Sequence, residues 1–254
     1  MRLIKRCVKA FFMSFGMFCV IPLPFKTWDN SCMDLILPCF PLVGLFIGTI
    51  WWSIARLLVY SQIHIMLTAA ILTVFPFFLS GFLHLDGYMD TNDAILSRRP
   101  LEDKLRILKD PHTGAFSVIT LVILFTIQFS VVYALIDGKK GLISLIFISL
   151  ISRCCASVSI LSLKAMTQSS YVNMFKQSTN ISHRGFVIAI TILIFLTAFF
   201  FTGFRGLVVV VCVVVGFTAA MAYSYREFKG ISGDLTGYSL VISELCGLSA
   251  LSVL

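Results

Sequence analysis

Three aspartates stand at helical spacing in one short polar segment of the chain. Asp86, Asp90 and Asp93 occupy positions i, i+4 and i+7, directly after a run of apolar residues. Side chains three and four residues apart share one face of an α-helix, so this spacing predicts an acidic stripe on a helix. Like charges at that distance repel one another unless a cation neutralises them. The stripe therefore predicts a metal site, and the alternative is a helix face that simply carries its charge into solvent.

The ligand types indicate which metal such a site would prefer. Carboxylates are hard oxygen donors, and no cysteine lies near them in the sequence, which suits Mg²⁺ or Mn²⁺. Mg²⁺ held by a few carboxylates commonly takes its remaining ligands from substrate phosphates. Gly87, which follows the first aspartate, leaves room for a ligand or a neighbouring backbone. The segment therefore predicts phosphoryl-group chemistry.

Polar residues beside the stripe have more than one interpretation. His84, just before it, is a candidate general acid or base, a phosphate donor, or a polar group at the end of an apolar segment. Asp110 is a candidate for a further metal ligand, or it interacts only with Lys109 and Arg106. The sequence leaves these alternatives open.

Arg153 is a charge inside an apolar segment. It stands ten residues from the end of that segment. This puts it about 15 Å deep at ~1.5 Å per residue, near the centre of a bilayer. A charge at that depth is costly unless it has a partner. Arg153 therefore forms an ion pair with Glu244, donates to a substrate phosphate through its planar guanidinium, or does both.

A glycine-rich turn precedes the last apolar segment. Gly230, Gly233 and Gly237 surround Asp234 there. Glycines at this spacing permit a tight loop whose backbone N–H groups can face an anion. We favour a substrate-binding role over an ordinary connection, because the turn carries an acid and leads directly to Glu244.

Long apolar segments are the elements that must position these residues. The 254 residues are 58% hydrophobic with a mean hydropathy of +0.96, which is typical of a membrane protein with several spans. The apolar stretches predict seven transmembrane helices, at residues 35–59, 63–83, 115–136, 142–163, 186–203, 207–225 and 238–254. A shorter segment, 8–21, is predicted as an N-terminal interfacial helix. The predicted fold class is an all-α, polytopic membrane helix bundle.

Basic residues indicate the orientation of the bundle. Ten of the 20 Lys and Arg residues lie in the connections 84–113, 164–185 and 226–237. The positive-inside tendency therefore predicts that these connections, with the aspartate stripe, lie on the cytoplasmic side. The first connection is predicted to hold two short helices, 86–96 and 101–109.

Composition also argues against several other partners and sites. The net charge of +8 needs no nucleic acid, because basic residues in short loops are attracted to anionic lipid headgroups. The eight cysteines include no Cys-x-x-Cys pair and no histidine at zinc spacing. We expect no cleaved leader and one domain over residues 1–254.

A family resemblance runs along nearly the whole chain. It rests on Phe40-Pro41-Leu42-Val43-Gly44, on His84-Leu85-Asp86-Gly87 with Asp90, Thr91 and Asp93, on Lys109-Asp110 with Gly114, on Ser152-Arg153, and on Gly230, Gly233-Asp234, Gly237 and Glu244. With these residues in this order the chain resembles the cobalamin synthases, membrane enzymes also called adenosylcobinamide-GDP ribazoletransferases. The aspartate core combined with the late Gly-Asp is the specific part of the match.

The resemblance implies a reaction, a cofactor and a location. The reaction is the transfer of α-ribazole, or its 5′-phosphate, onto adenosylcobinamide-GDP with release of GMP, dependent on Mg²⁺, at the cytoplasmic face of a bacterial inner membrane. The implied roles are catalytic for Asp86, Asp90, Asp93 and His84, substrate-binding for Arg153, Lys109, Gly233, Asp234 and Glu244, and metal-binding for Asp86, Asp90, Asp93 and Asp110. The sequence leaves a homo-oligomer open.

The chain departs from the family pattern at three places. Val20 stands where the family usually has an arginine, and Ala94 where it has a glycine. The segment 168–171 replaces a Tyr-Ala-Arg-like element. These places are expected to contact substrate, so they bear on the choice of lower-ligand nucleoside.

Two other classes of protein share some of these features. CDP-alcohol phosphatidyltransferases also line aspartates on membrane helices, but they carry an Ala-Arg pair and more widely spaced acids. A transporter would account for seven spans and for the charges at Arg153 and Glu244. Half of the twelve acidic residues of this chain, however, lie in the one connection 84–113 rather than at mid-membrane.

Overall fold

The computed structural model describes residues 2–23, 28–138, 141–167 and 169–254; Gln168, at the start of one departure from the family pattern, lies outside the described residues. Within these ranges the chain is helical. The helices are α1 (Arg2–Phe18), a 3-10 helix (Asn30–Leu35), α2 (Ile36–Tyr60), α3 (Ile65–Leu79), α4 (Leu83–Leu96), α5 (Leu101–Ile107), α6 (Ala115–Asp137), α7 (Ser144–Ser162), α8 (Ser170–Ser178), α9 (Ile181–Phe228) and α10 (Gly233–Val253). The predicted all-α fold class is confirmed.

The number of membrane crossings depends on two broken helices. Over the described residues, five helices are long and apolar enough to cross a membrane, or six if α3 and α4, bent by 92° at a short break, count as one span. One of the five, α9, has 48 residues. At ~1.5 Å per residue such a helix would be about 72 Å long, more than twice a hydrocarbon core of about 30 Å.

The chain reverses direction within α9. Gly203 has φ 65° and ψ −154°, far from helical values. A Cβ placed on Gly206 would lie 3.1 Å from the carbonyl oxygen of Ala198, whereas eight residues of straight helix advance about 12 Å. We therefore describe two arms, residues 181–202 and 204–228. They correspond to the two spans predicted at 186–203 and 207–225. Counting the arms separately gives six candidate crossings over the described residues, or the predicted seven if α3 and α4 count as one span.

Left-handed backbone produces the bend between α3 and α4. Gly81 has φ 64°, and Phe82, which has a side chain, has φ 59°. Two such residues in succession cannot continue a right-handed helix, so the chain turns sharply. The helix predicted to begin at residue 86 begins instead at Leu83, which places His84 inside it. The turn and second short helix predicted in this connection agree with α5.

Close packing of α2 on α7 fixes the centre of the bundle. A Cβ on Gly44 would lie 2.6 Å from the Ser149 carbonyl oxygen, and one on Gly48 would lie 2.8 Å from the Ile146 Cα. Only glycine allows the two backbones to approach this closely. The face of α7 that carries Arg153 is thereby held inside the bundle.

Three connections meet at one end of the bundle. The N–H of Met166 donates to the carbonyl oxygen of Ile231 at 3.0 Å, and the N–H of Ile231 donates to the carbonyl oxygen of Lys164 at 2.9 Å. Lys104 of α5 forms an ion pair with Glu227 at the end of α9. Segments 84–113, 164–185 and 226–237 therefore lie at the same end, as the orientation prediction required.

The N-terminal helix α1 packs along α2 and the 3-10 helix. Arg6 bonds to Asp34 at 2.9 Å and Lys9 to Asp29 at 2.8 Å. The Lys9 ammonium, with a hydrogen bond from Ser31, holds the pKa of Asp29 well below its usual range. The helix is not among the candidate spans of the described residues. Its charged face therefore fits the interfacial helix predicted at 8–21.

Candidate functional site

The aspartate stripe lies on helix α4. Asp86 is exposed, and Asp90 and Asp93 are partly buried. The helical spacing predicted for them is confirmed because α4 runs unbroken from Leu83 to Leu96. Across the described ranges, none of the three carboxylates forms an ion pair with a basic side chain. Their negative charge is therefore not compensated by the protein groups that the structure describes.

A fourth carboxylate joins the stripe from α10. A Cβ on Gly87 would lie 2.7 Å from the Asp234 carbonyl oxygen and 2.8 Å from its Cα, so the two backbones touch. Repulsion from Asp86, Asp234 and Asp93 acts on the Asp90 carboxylate. We call Asp86, Asp90, Asp93 and Asp234 the acidic junction. Gly233, the first residue of α10, is exposed beside it.

Two Gly-Tyr pairs hold α4 against α10. Gly87 touches the backbone of Asp234, and a Cβ on Gly237 would lie 3.2 Å from the backbone Cα of His84. The rings of Tyr88 and Tyr238 stack with centroids 5.8 Å apart and an interplanar angle of 17°. Sequence reasoning missed this stacked pair, and the repeated Gly-Tyr dipeptide was the signal that could have found it.

The end of the charged connection folds back onto Asp93. A Cβ on Gly114 would lie 2.0 Å and 2.2 Å from the two carboxylate oxygens of Asp93. Any side chain at this position would displace the carboxylate. Gly114 therefore closes the loop around one member of the acidic junction.

The acidic junction suits a hard divalent cation by its chemistry. Its donors are all carboxylate oxygens, which Mg²⁺ and Mn²⁺ prefer. Like charges crowded together in a partly buried place favour a bound cation. In this conformation, no three such side chains of the described residues are drawn together closely enough to hold an ion. The four carboxylates are of the type that such a metal prefers, and they lie near one another. Their side chains would have to rotate to bind one ion together.

His84 faces the interior of the bundle rather than the stripe. At ~100° per residue it lies about 200° around the helix from Asp86. It is 7% exposed, with ring centroids 6.3 Å from Phe18 and 5.9 Å from Phe40. Its Nε2 has no hydrogen-bond partner among the described residues. The general acid or base role of His84 stays a prediction, and it requires substrate to reach this inner face of α4.

The ion pair predicted between Arg153 and Glu244 is present and buried. The Arg153 Nη1 also donates to the hydroxyls of Ser149 at 2.9 Å and Ser152 at 3.0 Å, and Ser152 donates to Glu244 at 3.0 Å. All of the hydrogen bonds of Arg153 use Nη1, while the buried Nε has no partner and Nη2 forms no hydrogen bond among the described residues. The protein therefore satisfies one nitrogen of the guanidinium and leaves the other two available. The Ser-x-x-Ser-Arg spacing places both hydroxyls beside it.

Lys109 and Asp110 lie in the exposed part of the connection. The Asp110 carboxylate accepts a hydrogen bond from the His112 N–H at 3.0 Å and lies 2.6 Å from the His112 ring. These bonds lower the pKa of Asp110. Within the described part of the chain, neither Lys109 nor Asp110 forms a hydrogen bond or ion pair with the acidic junction. The metal-binding role of Asp110 stays a prediction.

Two departures from the family pattern share one cavity. It measures about 550 Å³ and is lined by Phe12, Met13, Gly16, Met17, Cys19, Val20, Ile21, Pro22, Leu23, Trp28 and Tyr171. The Val20 N–H donates to the Leu79 carbonyl oxygen at 2.9 Å, which places the cavity beside the bend before α4. The third departure, Ala94, is buried inside α4.

Comparison with known proteins adds to this geometry. The family model described as "Cobalamin-5-phosphate synthase" matches residues 10–252. An adenosylcobinamide-GDP ribazoletransferase of Clostridium botulinum (strain Eklund 17B) is 40% identical over 96% of this chain and 97% of its own length. One of Clostridium perfringens (strain SM101) is 38% identical over 97% and 98%, and one of Lachnoclostridium phytofermentans is 31% identical over 94% and 91%. No solved structure matches.

The match extends across every element that builds the acidic junction, from α4 to the first turn of α10. It includes the buried pair on α7 and α10 as well. The chain belongs to the cobalamin-5-phosphate synthase family of membrane enzymes.

Proposed function

We propose that this chain transfers α-ribazole, or its 5′-phosphate, onto adenosylcobinamide-GDP and releases GMP, with Mg²⁺ bound at the acidic junction. The observation that carries the proposal is the meeting of four carboxylates on α4 and α10 without a basic partner in the described ranges. Relatives that match almost the whole chain bear the name adenosylcobinamide-GDP ribazoletransferase.

The bond changes required are those of a phosphoryl transfer. A free ribose hydroxyl of the ribazole, other than the 5′ oxygen that is already phosphorylated in the 5′-phosphate, attacks the phosphorus attached to the corrinoid. The bond from that phosphorus to the GMP oxygen breaks, and the hydroxyl proton passes to a carboxylate or to water. A bound Mg²⁺ would neutralise the charge that develops on the phosphate oxygens. Asp86, Asp90, Asp93 and Asp234 would hold it.

The contact between α4 and α10 would position the substrate. Ser232 caps α10 by accepting a hydrogen bond from the Leu235 N–H at 3.2 Å, so the helix begins beside the stripe. The N-terminus of a helix favours phosphate oxygens, and Gly233 leaves that end uncovered. We expect the diphosphate of the nucleotide to lie between this helix end and the stripe.

In this proposal the buried ion pair between Arg153 and Glu244 supports the helices that form the site. Arg153 interacts electrostatically with His84, which sits on the inner face of α4. With Glu244 and two serines around it, Arg153 holds α7 and α10 in register beneath the junction. A direct contact with a substrate phosphate would use the N–H groups of Nε and Nη2, which form no hydrogen bond among the described residues.

We also propose that the junction faces the cytoplasm of a bacterial cell. The three connections at that end of the bundle carry ten basic residues, as the positive-inside tendency favours. Water-soluble phosphorylated substrates then reach the acidic junction without crossing the bilayer.

The test uses purified full-length protein in detergent. Adenosylcobinamide-GDP, α-ribazole and Mg²⁺ should together yield a corrinoid product and an equal amount of GMP, measured by chromatography. Chelation should stop both, and added Mg²⁺ should restore both. A transporter would release no GMP without a sealed membrane. Absence of product with α-ribazole, its 5′-phosphate and other ribazole analogues would overturn the proposal.

A further inference from the structure

A second cavity lies between α7 and the two arms of α9, away from the acidic junction. It measures about 580 Å³ and is lined by Cys155, Val158, Ser159, Ser162, Leu163, Ile188, Thr191, Ile192, Phe195, Val214, Phe217, Thr218, Met221, Ala222, Tyr225 and Arg226. No lining residue belongs to α4 or α10. The cleft therefore shares no wall with the proposed catalytic site.

The walls of the cleft are apolar over most of its depth. The hydroxyls of Ser159, Thr191 and Thr218 donate to backbone carbonyls of their own helices at 2.8 Å each. These hydroxyl groups already form hydrogen bonds and do not require a polar ligand. The walls suit a hydrocarbon chain.

The length of the cleft matches one leaflet of a bilayer. Its residues on the second arm run from Val214 to Arg226, which is about 18 Å at ~1.5 Å per residue. Half of a hydrocarbon core of about 30 Å is about 15 Å. The cleft can thus receive one acyl chain entering from the end where Arg226 stands.

The mouth of the cleft is positively charged. Arg226 lines it and is exposed. Arg184 precedes Ile188 by one helical turn on the first arm, and Lys164 follows Leu163 at the end of α7. In the described ranges these three basic side chains form no ion pair, and no acidic residue lines the cleft. This charge complements an anionic headgroup.

We propose that the cleft binds an anionic phospholipid, with one acyl chain along the arms of α9 and the phosphate at Arg226. Apolar walls, leaflet depth and a basic mouth together fit this class of ligand. The binding is independent of the transferase reaction.

Native mass spectrometry of the full-length protein would measure the binding. Dioleoylphosphatidylglycerol is titrated against the protein in detergent, and dioleoylphosphatidylcholine serves as the neutral comparison. We expect Arg226→Gln to weaken phosphatidylglycerol binding about fivefold, since one basic residue near the headgroup contributes ~1 kcal/mol. Binding of phosphatidylcholine should stay unchanged. Arg205→Gln is the matched control, because Arg205 is an exposed arginine of α9 close to its reversal and outside the cleft.

A second variant tests the acyl-chain part of the proposal. Thr218→Trp fills the cleft from the second arm and should weaken both lipids at least tenfold, while GMP release by the same preparation reports that the protein is folded. Equal effects of Arg226→Gln and Arg205→Gln on phosphatidylglycerol would overturn the proposal. So would full lipid binding by Thr218→Trp, or a protein dimer that dissociates in this variant, since a second copy would then occupy the cleft.

Discussion

Replacing Gly87 with alanine should separate the two helices that carry the acidic junction. The new Cβ would lie 2.7 Å from the carbonyl oxygen and 2.8 Å from the Cα of Asp234. Both are backbone atoms at the start of α10, so no side chain can rotate away. The contact must lengthen by about 0.7 Å to reach the 3.4 Å at which ordinary contacts begin.

The size of the displacement sets the expected loss. Overpacking of this kind typically costs about 1–3 kcal/mol of stability. A shift approaching 1 Å in a reacting geometry can lower turnover about a hundredfold. We therefore expect Gly87→Ala to fold, to insert in the membrane, and to release GMP between about ten and a hundred times more slowly than the wild type.

The assay is GMP release at saturating Mg²⁺, beside a thermal unfolding curve in the same detergent. Gly185→Ala is the matched control, because a Cβ on Gly185 of α9 meets nothing within 4 Å. Wild-type turnover by Gly87→Ala would refute the argument that the close approach of α4 and α10 positions the junction. An equal loss in Gly185→Ala would refute it as well.

Three further predictions test the charges of the bundle. Asp90→Asn should lower GMP release at least about a hundredfold and raise the Mg²⁺ concentration needed for half-maximal activity, and near-normal activity with normal Mg²⁺ dependence would contradict a metal at the junction. Arg153→Met should lower the free energy of unfolding by about 3–5 kcal/mol, because it leaves Glu244 buried and unpaired, and Arg153→Met with Glu244→Gln should recover much of that loss; no recovery would show that the pair is not the cause. Lys104→Met should destabilise α5 at the end of α9 by about 1 kcal/mol, and a second change at Glu227 should then cost little more if the two residues form the pair seen here.

The parts of the fold that local patterns encode were predictable from the sequence. The stripe on α4 follows from residue spacing, and the two arms of α9 follow from apolar segments interrupted near Gly203. Two other contacts were not predictable in this way. Tyr88 stacks on Tyr238, which is distant in sequence, and Gly114 fits against Asp93 only through tertiary packing. Periodicity within one segment carries no information about such contacts.

The position of His84 shows the same limit for the candidate site. Its place next to the aspartates in sequence suggested a shared role, but helix geometry turns neighbouring side chains by about 100° per residue. The aspartates face the side where α10 begins, and His84 faces Phe18 and Phe40. His84 is therefore next to the aspartates in sequence but faces another side of the helix. Asp234, which is distant in sequence, joins the acidic junction from α10.

The end of α9 lets the lipid cleft and the acidic end of the bundle be tested separately. Arg226 lines the cleft, whereas the next residue, Glu227, pairs with Lys104 of α5. Consecutive residues of a helix point about 100° apart, so a change at Arg226 leaves the pair intact. Arg226→Gln should therefore reduce lipid binding without the loss of stability expected for Lys104→Met. If both variants lowered stability equally, the two side chains would be acting as one charged group at the membrane surface.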